Sequence, residues 1–127
     1  MPNFVERVKT VQELEAAQAK RREWGLPMVL IFSSSGATSS TLKALSTAYR
    51  RRLLVVEHKA GKGGSEVARR FGVTAFPAVL GFPGEQDEPV AFEKKPTHNM
   101  LDGFFRKLAL RQAVLRKPKP EAPKEEL

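Results

Sequence analysis

The sequence predicts an α/β domain with a central mixed sheet of about five strands and helices on both faces. Residues 28–32 and 53–56 are apolar runs of strand length without a polar position, which is typical of strands covered on both faces. Segments with helical spacing follow both runs, so strands and helices alternate as β-α-β-α-β-α before a final β-β-α. This order predicts a parallel sheet that is completed by an antiparallel hairpin.

Local signals bound the elements of the amino-terminal half. Residues 4–8 predict a short edge strand. Thr10 and Glu13 have the spacing of a capping box, in which hydroxyl and carboxylate each accept a free backbone N–H, and they predict a helix over residues 11–24. The next helix ends at the arginines 50–52, whose charge suits the negative end of the helix dipole. Its apolar residues at helical spacing are Leu42, Leu45, Ala48 and Tyr49.

The carboxyl-terminal half carries similar signals. Ser65 is placed to cap a short helix, and Gly72 to adopt the left-handed conformation that ends it. Residues 78–82 and 90–92 predict the two strands of a hairpin, because a turn-forming segment separates them. The last helix begins near Thr97, and one of its faces is apolar, with Leu101, Phe104, Phe105 and Leu108.

One domain accounts for residues 1–116, and residues 117–127 are predicted to form a flexible Lys/Pro/Glu tail, because they offer almost no apolar area. The 127 residues include 22 Lys and Arg against 14 Asp and Glu, a net charge of +8 that favours anionic partners. The cations are scattered over several elements and are not interleaved with exposed aromatics. An acidic protein, RNA and an anionic membrane surface all stay open as partners.

The composition excludes several classes of function. There is no cysteine, which rules out disulfides, thiolate metal ligands and thiol catalysis for this chain. No metal and no cofactor are predicted. No apolar run approaches the ~20 residues of a membrane span, and the first residues lack the apolar core of a signal peptide. We expect either a cytosolic protein or a fragment whose targeting segment was removed.

Two features carry a family resemblance. Residues 71–77 read Phe-Gly-Val-Thr-Ala-Phe-Pro ahead of a hydrophobic strand, and the run at 28–32 opens through a short loop into a helix. With the predicted element order, these features resemble the thioredoxin-like superfamily, in particular the non-catalytic modules of protein disulfide isomerase relatives and some DnaJ proteins. The resemblance covers roughly residues 4–115. It implies a thioredoxin-like fold and a cis peptide bond between Phe76 and Pro77.

The resemblance also implies that the redox pair is missing. Aligning Phe32 with the aromatic residue that ends the family's central strand places Ala37 and Ser40 at the two positions of the family's Cys-x-x-Cys. Thiol–disulfide exchange needs a thiolate to attack and a thiol to leave, so neither residue supports it. We predict that the chain is not an enzyme.

Two other chemistries find weaker support. Serine catalysis needs a positioned base, and the sequence offers only His58 and His98, neither of them beside the loop that carries Ser33, Ser34, Ser35, Ser39 and Ser40. Residues 61–65 lie between a strand and a helix, as a phosphate-binding loop does, but lack its full spacing. An enzyme or cofactor-binding domain that uses this fold for glutathione or nucleotide chemistry stays as the alternative.

Members of the family pair the backbone of the residue before the cis proline with an extended peptide. The resemblance therefore implies a peptide-binding surface in this chain, formed by Ser35, Gly36, Ala37, Phe76 and Pro77. The predicted function is a redox-inactive, protein-binding module with a chaperone-associated or scaffold role. Residues 124–127, Lys-Glu-Glu-Leu, are similar to the retrieval signals of endoplasmic-reticulum residents and predict the lumen of that compartment, with the cytoplasm as the alternative.

Overall fold

The computed structural model describes residues 4–33, 40–59, 65–73, 78–83, 89–92 and 97–114. Its elements in chain order are β1 (Glu6–Val8), α1 (Val11–Trp24), β2 (Met28–Ser33), α2 (Ser40–Ala48), β3 (Leu54–Lys59), α3 (Glu66–Arg70), β4 (Ala78–Phe82), β5 (Val90–Ala91) and α4 (His98–Leu108). The predicted order of strands and helices is confirmed. The proposed Phe76–Pro77 cis bond and the tail at 117–127 lie outside the described residues.

One five-stranded sheet joins the strands in the order β1-β3-β2-β4-β5. The three strands β1, β3 and β2 run parallel, as the β-α-β order requires. Strand β4 pairs antiparallel with β2, and β5 pairs antiparallel with β4. The chain therefore has the predicted parallel sheet, completed by an antiparallel hairpin, and β2 lies in its centre.

Helices cover both faces of the sheet. Alternate residues of β2 point to opposite sides, so Met28 and Phe32 pack with residues of α1 and α3, whereas Val29 and Ile31 pack with residues of α2 and α4. Burying a side chain of this size contributes about 1.5–3 kcal/mol. Burial on both sides explains why the run at 28–32 contains no polar position.

Helix α1 has the bounds that the sequence predicts. The Thr10 hydroxyl accepts the Glu13 N–H at 3.1 Å, and Gly25, at φ 68°, ends the helix in the left-handed conformation. The second hydrogen bond of the capping box differs from expectation. The Glu13 carboxylate accepts the N–H of Lys9, one residue before the cap, at 3.4 Å. Gly72 has φ 67°, as predicted for the end of α3.

Strand β3 differs from its predicted span of 53–56, since it continues to Lys59. Glu57 and His58 therefore lie inside the strand, with exposed fractions of 2% and 1%. The expectation that His58 follows the strand is wrong. A strand predicted from an apolar run stops where polar residues begin. It therefore misses buried polar residues that continue the strand and bind partners elsewhere in the fold.

Tyr49, in the turn after α2, is joined to α4 by a part-buried hydrogen bond. The Tyr49 hydroxyl donates to Asp102 Oδ1 at 2.6 Å, and the same carboxylate accepts from Arg106 Nη2 at 2.9 Å. Burial and the hydrogen bond to Asp102 raise the pKa of Tyr49 above its ordinary value of 10.0. The folded state therefore retains the phenol proton at a pH where the unfolded chain loses it.

Because Tyr49 is the single tyrosine of the chain, its titration is directly visible in the ultraviolet absorbance of the phenolate. We expect a midpoint above 10.0 in the folded protein. The stability that Tyr49 contributes is fully present below the unfolded pKa of about 10 and is lost as the pH rises through the folded value. Asp102→Asn is expected to lower the midpoint, and an unchanged midpoint would contradict the assignment.

Gly81 in β4 is packed directly under α4. A Cβ atom built at Gly81 would lie 2.6 Å from Leu108 Cδ1 and 2.9 Å from Phe104 Cζ, whereas one built at Gly103 on the outside of α4 would meet no atom within 4 Å. Gly81→Ala is expected to destabilise the fold by about 1 kcal/mol, since both neighbours are half-buried ends that give way in part. Gly103→Ala, the matched control, should stabilise it by about 0.5–1 kcal/mol. Denaturant midpoints measure the change in stability for both variants. Changes of the same sign for Gly81→Ala and Gly103→Ala would contradict the packing of Gly81 under α4.

Candidate functional site

The sequence-predicted site lies mostly beyond the described part of the chain. The segments 34–39 and 74–77, which contain Ser35, Gly36, Ala37, Phe76 and Pro77, lie outside the described residues. Of the two degenerate redox positions, Ser40 is described, and it is the exposed first residue of α2.

The sheet register nevertheless relates the two segments. Phe32 near the end of β2 pairs with Ala78 at the start of β4. The chain therefore enters segment 34–39 and leaves segment 74–77 at the same end of the sheet. This is the neighbourhood that a shared peptide-binding surface requires.

A buried histidine lies at this end of β3. His58 Nδ1 is 2.9 Å from the Val8 carbonyl oxygen, which can only accept, so Nδ1 carries the proton and donates it. In the neutral ring, Nε2 then accepts from the Ser65 hydroxyl at 2.7 Å. The Phe32 ring packs edge-on against the imidazole, with 5.8 Å between ring centroids. His58 thus joins β1, β3 and the start of α3.

Ser65 and His58 have the separation of a nucleophile and its base, but their other contacts give the pair a structural role. The Ser65 oxygen also accepts the Ala68 N–H at 3.0 Å, as the cap of α3. His58 has an exposed fraction of 1%, so a substrate has no access to the base. Sequence reasoning predicted the cap and missed the pair, because the histidine was expected beyond the strand.

His58 is not available as a catalytic base for the loop serines. Both ring nitrogens of His58 are engaged by Val8 and Ser65. Ser33 Oγ is buried and has no hydrogen-bond partner in the part of the chain that the structure describes. The described geometry therefore gives no support to serine catalysis with His58 as the base.

A buried carboxylate adjoins the same strand pair. Glu57 in β3 faces Arg7 in β1, with 3.4 Å between Arg7 Nε and Glu57 Oε1, and the two residues are in register across the parallel ladder. Glu57 has an exposed fraction of 2% against 41% for Arg7. The pair thus joins β1 to β3 across the parallel ladder.

An accessible, apolar groove of about 390 Å³ lies between β5 and α4. Val90 and Met100, its outer residues, are 47% and 46% exposed and are the exposed large hydrophobic residues of the described chain. The rings of Phe92 and Phe104 meet inside it with their centroids 5.1 Å apart. Lys107 supplies the charge at its border. Sequence reasoning missed this β5–α4 groove because its two sides form separate predicted elements.

The described residues also bear on metal binding and membrane insertion. In the described ranges, no group of three or more His, Asp or Glu side chains is arranged to hold a metal ion. Each helix of those ranges is too short or too polar to cross a bilayer. The loop at 61–65 lies outside the described residues except for Ser65, whose hydroxyl is already engaged twice.

Comparison with known proteins identifies the architecture. No family model matches the sequence, and no curated protein matches it. Among solved structures, thioredoxin NaTrxh from Nicotiana alata superposes with a TM-score of 0.70 at 18% identity, over 86% of this chain and 96% of that one. Thioredoxin O2 from Arabidopsis thaliana, in the oxidized state, gives a TM-score of 0.63 at 21% identity, over 85% and 96% of the two chains.

The J-Trx1 fragment of ERdj5 is also similar, with a TM-score of 0.64 at 16% identity. That similarity covers 82% of this chain and 49% of the fragment. The neighbours are thus thioredoxins and a thioredoxin-like domain, and the protein has the thioredoxin-like fold. Because it contains no cysteine, it is a thioredoxin-like domain without the redox pair.

Comparing Ser65→Ala with Thr10→Ala separates the capping role of Ser65 from its contact with His58. The substitution removes a helix cap, as Thr10→Ala does at α1, and each loss costs about 1 kcal/mol. Ser65→Ala also leaves a buried imidazole nitrogen without a partner, which adds about 1–3 kcal/mol. We expect the loss in free energy of unfolding, measured with urea, to be clearly larger for Ser65→Ala. Equal losses would mean that the contact to His58 contributes nothing.

Proposed function

We propose that this chain is a redox-inactive thioredoxin-like module that binds proteins, with a chaperone-associated or scaffold role, and that it is not an enzyme. The β5–α4 groove carries the proposal, because exposed Val90 and Met100 lie together on it. The absence of cysteine removes the dithiol chemistry of the neighbours, since no thiolate is present to attack a disulfide.

The occupant that fits the groove is an extended, apolar peptide segment with an acidic residue. Strand β5 pairs with β4 on one side, so its outer edge offers backbone groups for an added strand. Apolar side chains of the added strand would rest on Phe92, Phe104 and Met100. Lys107 would attract the acidic residue. Affinity should be micromolar or weaker, because a short groove must offset the ordering entropy of the peptide.

A second peptide surface follows from the family resemblance. The residues proposed for it are Ser35, Gly36, Ala37, Phe76 and Pro77, and the backbone at Phe76 would pair with the peptide. The proximity of the two segment ends, through the Phe32–Ala78 pair, supports this proposal. Both surfaces would bind an extended peptide. They are distinguished by which residues change their backbone amide shifts when the peptide is added.

The proposed compartment is the lumen of the endoplasmic reticulum, with the cytoplasm as the alternative. The carboxyl-terminal Lys-Glu-Glu-Leu and the structural similarity to the ERdj5 fragment support it. The net charge of +8 supports a second candidate function, the binding of an anionic partner such as RNA. Glutathione or nucleotide chemistry on this fold remains the enzymatic alternative.

Met100→Glu tests the groove. A short peptide of alternating valine and threonine with a terminal glutamate is titrated while backbone amide shifts are followed. We expect shifts at residues 90–92 and around Met100, and a loss of about tenfold in affinity on Met100→Glu, because the new carboxylate must be desolvated in an apolar groove and repels the peptide. Met100 is 46% exposed, so the fold should be retained.

The matched control is Gln12→Glu, which adds the same charge on exposed α1, on the other face of the sheet. It should leave the affinity unchanged. Shifts at Phe76 to Ala78, with a silent groove, would move the binding surface to the segments 34–39 and 74–77. Shifts confined to the arginine-rich helices would contradict peptide binding and favour an anionic partner. Insulin reduction above the dithiothreitol background would contradict the redox-inactive assignment.

A further inference from the structure

A separate pocket lies at the opposite end of the sheet from the segments 34–39 and 74–77. It is lined by the chain just before β1, the last turns of α1 and the turn between α2 and β3, and its volume is about 190 Å³. Strand β2, with six residues, separates the two ends by roughly 20 Å. This amino-end pocket is therefore independent of both proposed peptide surfaces.

The floor of the amino-end pocket is apolar. Leu26, Leu53 and Leu54 are buried beneath it, and the half-buried rings of Phe4 and Trp24 form its walls. Such a concave apolar surface, open on one side, favours a ligand with an aliphatic or aromatic body.

The rim of the same pocket is cationic. Lys20, Arg50 and Arg51 line it together with one carboxylate, Glu6, which forms an ion pair with Lys20. The guanidinium of Arg50 lies over the Phe4 ring at 4.4 Å from its centroid. Among the described carboxylates, none is within ion-pair distance of Arg50. Stacking on the ring leaves the edge of this guanidinium available to an anion.

The backbone of the turn directs these arginines. Arg51 has φ 63°, a left-handed conformation that is uncommon for a residue other than glycine. Its guanidinium lies 5.8 Å from the centroid of the Trp24 ring. Arg52 points away and donates from Nε to the Leu110 carbonyl at 2.7 Å. Arg50 and Arg51 are thus brought to one pocket by a turn conformation that most residues avoid.

We propose that the amino-end pocket binds a small anionic amphiphile, with a carboxylate or sulfonate head on Arg50 and a short aliphatic or aromatic body on the leucine floor. The head is assigned to Arg50 because the charge of Lys20 is already balanced by Glu6. The body is limited to one short chain or ring by the volume of about 190 Å³. Neither a redox pair nor a peptide is involved, so the proposal goes beyond the proposed protein binding.

Octanoate and octanol are the probes, because they share the chain and differ in the charge of the head. Trp24 is the single tryptophan of the protein and lines the pocket, so its fluorescence reports occupancy at this site alone. We expect octanoate to change the emission in a saturable way and octanol to bind at least about fivefold more weakly. Equal affinities for the two probes, or no saturable change with octanoate, would overturn the proposal.

Arg50→Gln should weaken octanoate binding by about fivefold, the effect of losing one exposed charge pair. Arg69→Gln removes the same charge from exposed α3, outside the pocket, and should leave binding unchanged. Arg50→Lys should retain part of the affinity, and far-ultraviolet circular dichroism verifies that each variant is folded. Equal losses of octanoate affinity for Arg50→Gln and Arg69→Gln would show that the net positive charge attracts octanoate without a specific site, and would contradict the proposal. Met100→Glu should leave octanoate binding intact, which separates this result from the fate of the β5–α4 groove.

Discussion

Burial of β2 on both faces and pairing along both of its edges is the constraint on which the structure depends. Its side chains Met28, Val29, Leu30 and Phe32 are fully buried, and β3 and β4 hydrogen-bond to its two sides. From Met28 to Phe32 this strand carries no polar side chain, because a buried polar group without a partner is costly. It also fixes where the chain emerges, because Phe32 near its end pairs with Ala78 at the start of β4, so the chain leaves β2 and enters β4 at the same end of the sheet.

How far the fold follows from the sequence depends on the range of each signal. The bounds of α1 were predictable because Thr10 and Gly25 act on their own helix ends. The end of β3 was not, since His58 is buried through Val8, which is 50 positions away in the chain. A polar residue whose partner is remote has the same local pattern as a loop residue, so only the assembled sheet distinguishes the two.

The candidate sites follow the same rule. The peptide surface that the resemblance assigned to segments 34–39 and 74–77 stays a prediction, and the register of β2 and β4 shows that the chain enters one segment and leaves the other at the same end of the sheet. The β5–α4 groove was not predictable, because Val90 and Met100 read as ordinary residues of two elements until the hairpin packs against the helix. The amino-end pocket also depends on the positive φ of Arg51, and the Arg-Arg-Arg sequence at 50–52 does not predict that conformation. Packing and backbone conformation, more than composition, create these two cavities.

The contacts of Arg51 and Arg52 also determine how the domain can be attached to something else. Leu110 and Val114 donate backbone N–H groups to the carbonyls of Arg52 and Arg51, at 2.9 and 2.7 Å. These two hydrogen bonds hold the end of the described chain, at Val114, near the amino-end pocket. A surface or fusion partner linked directly after Val114 would be held at that end of the sheet. The carboxyl end of β2, at the other end of the sheet, would then face the solution.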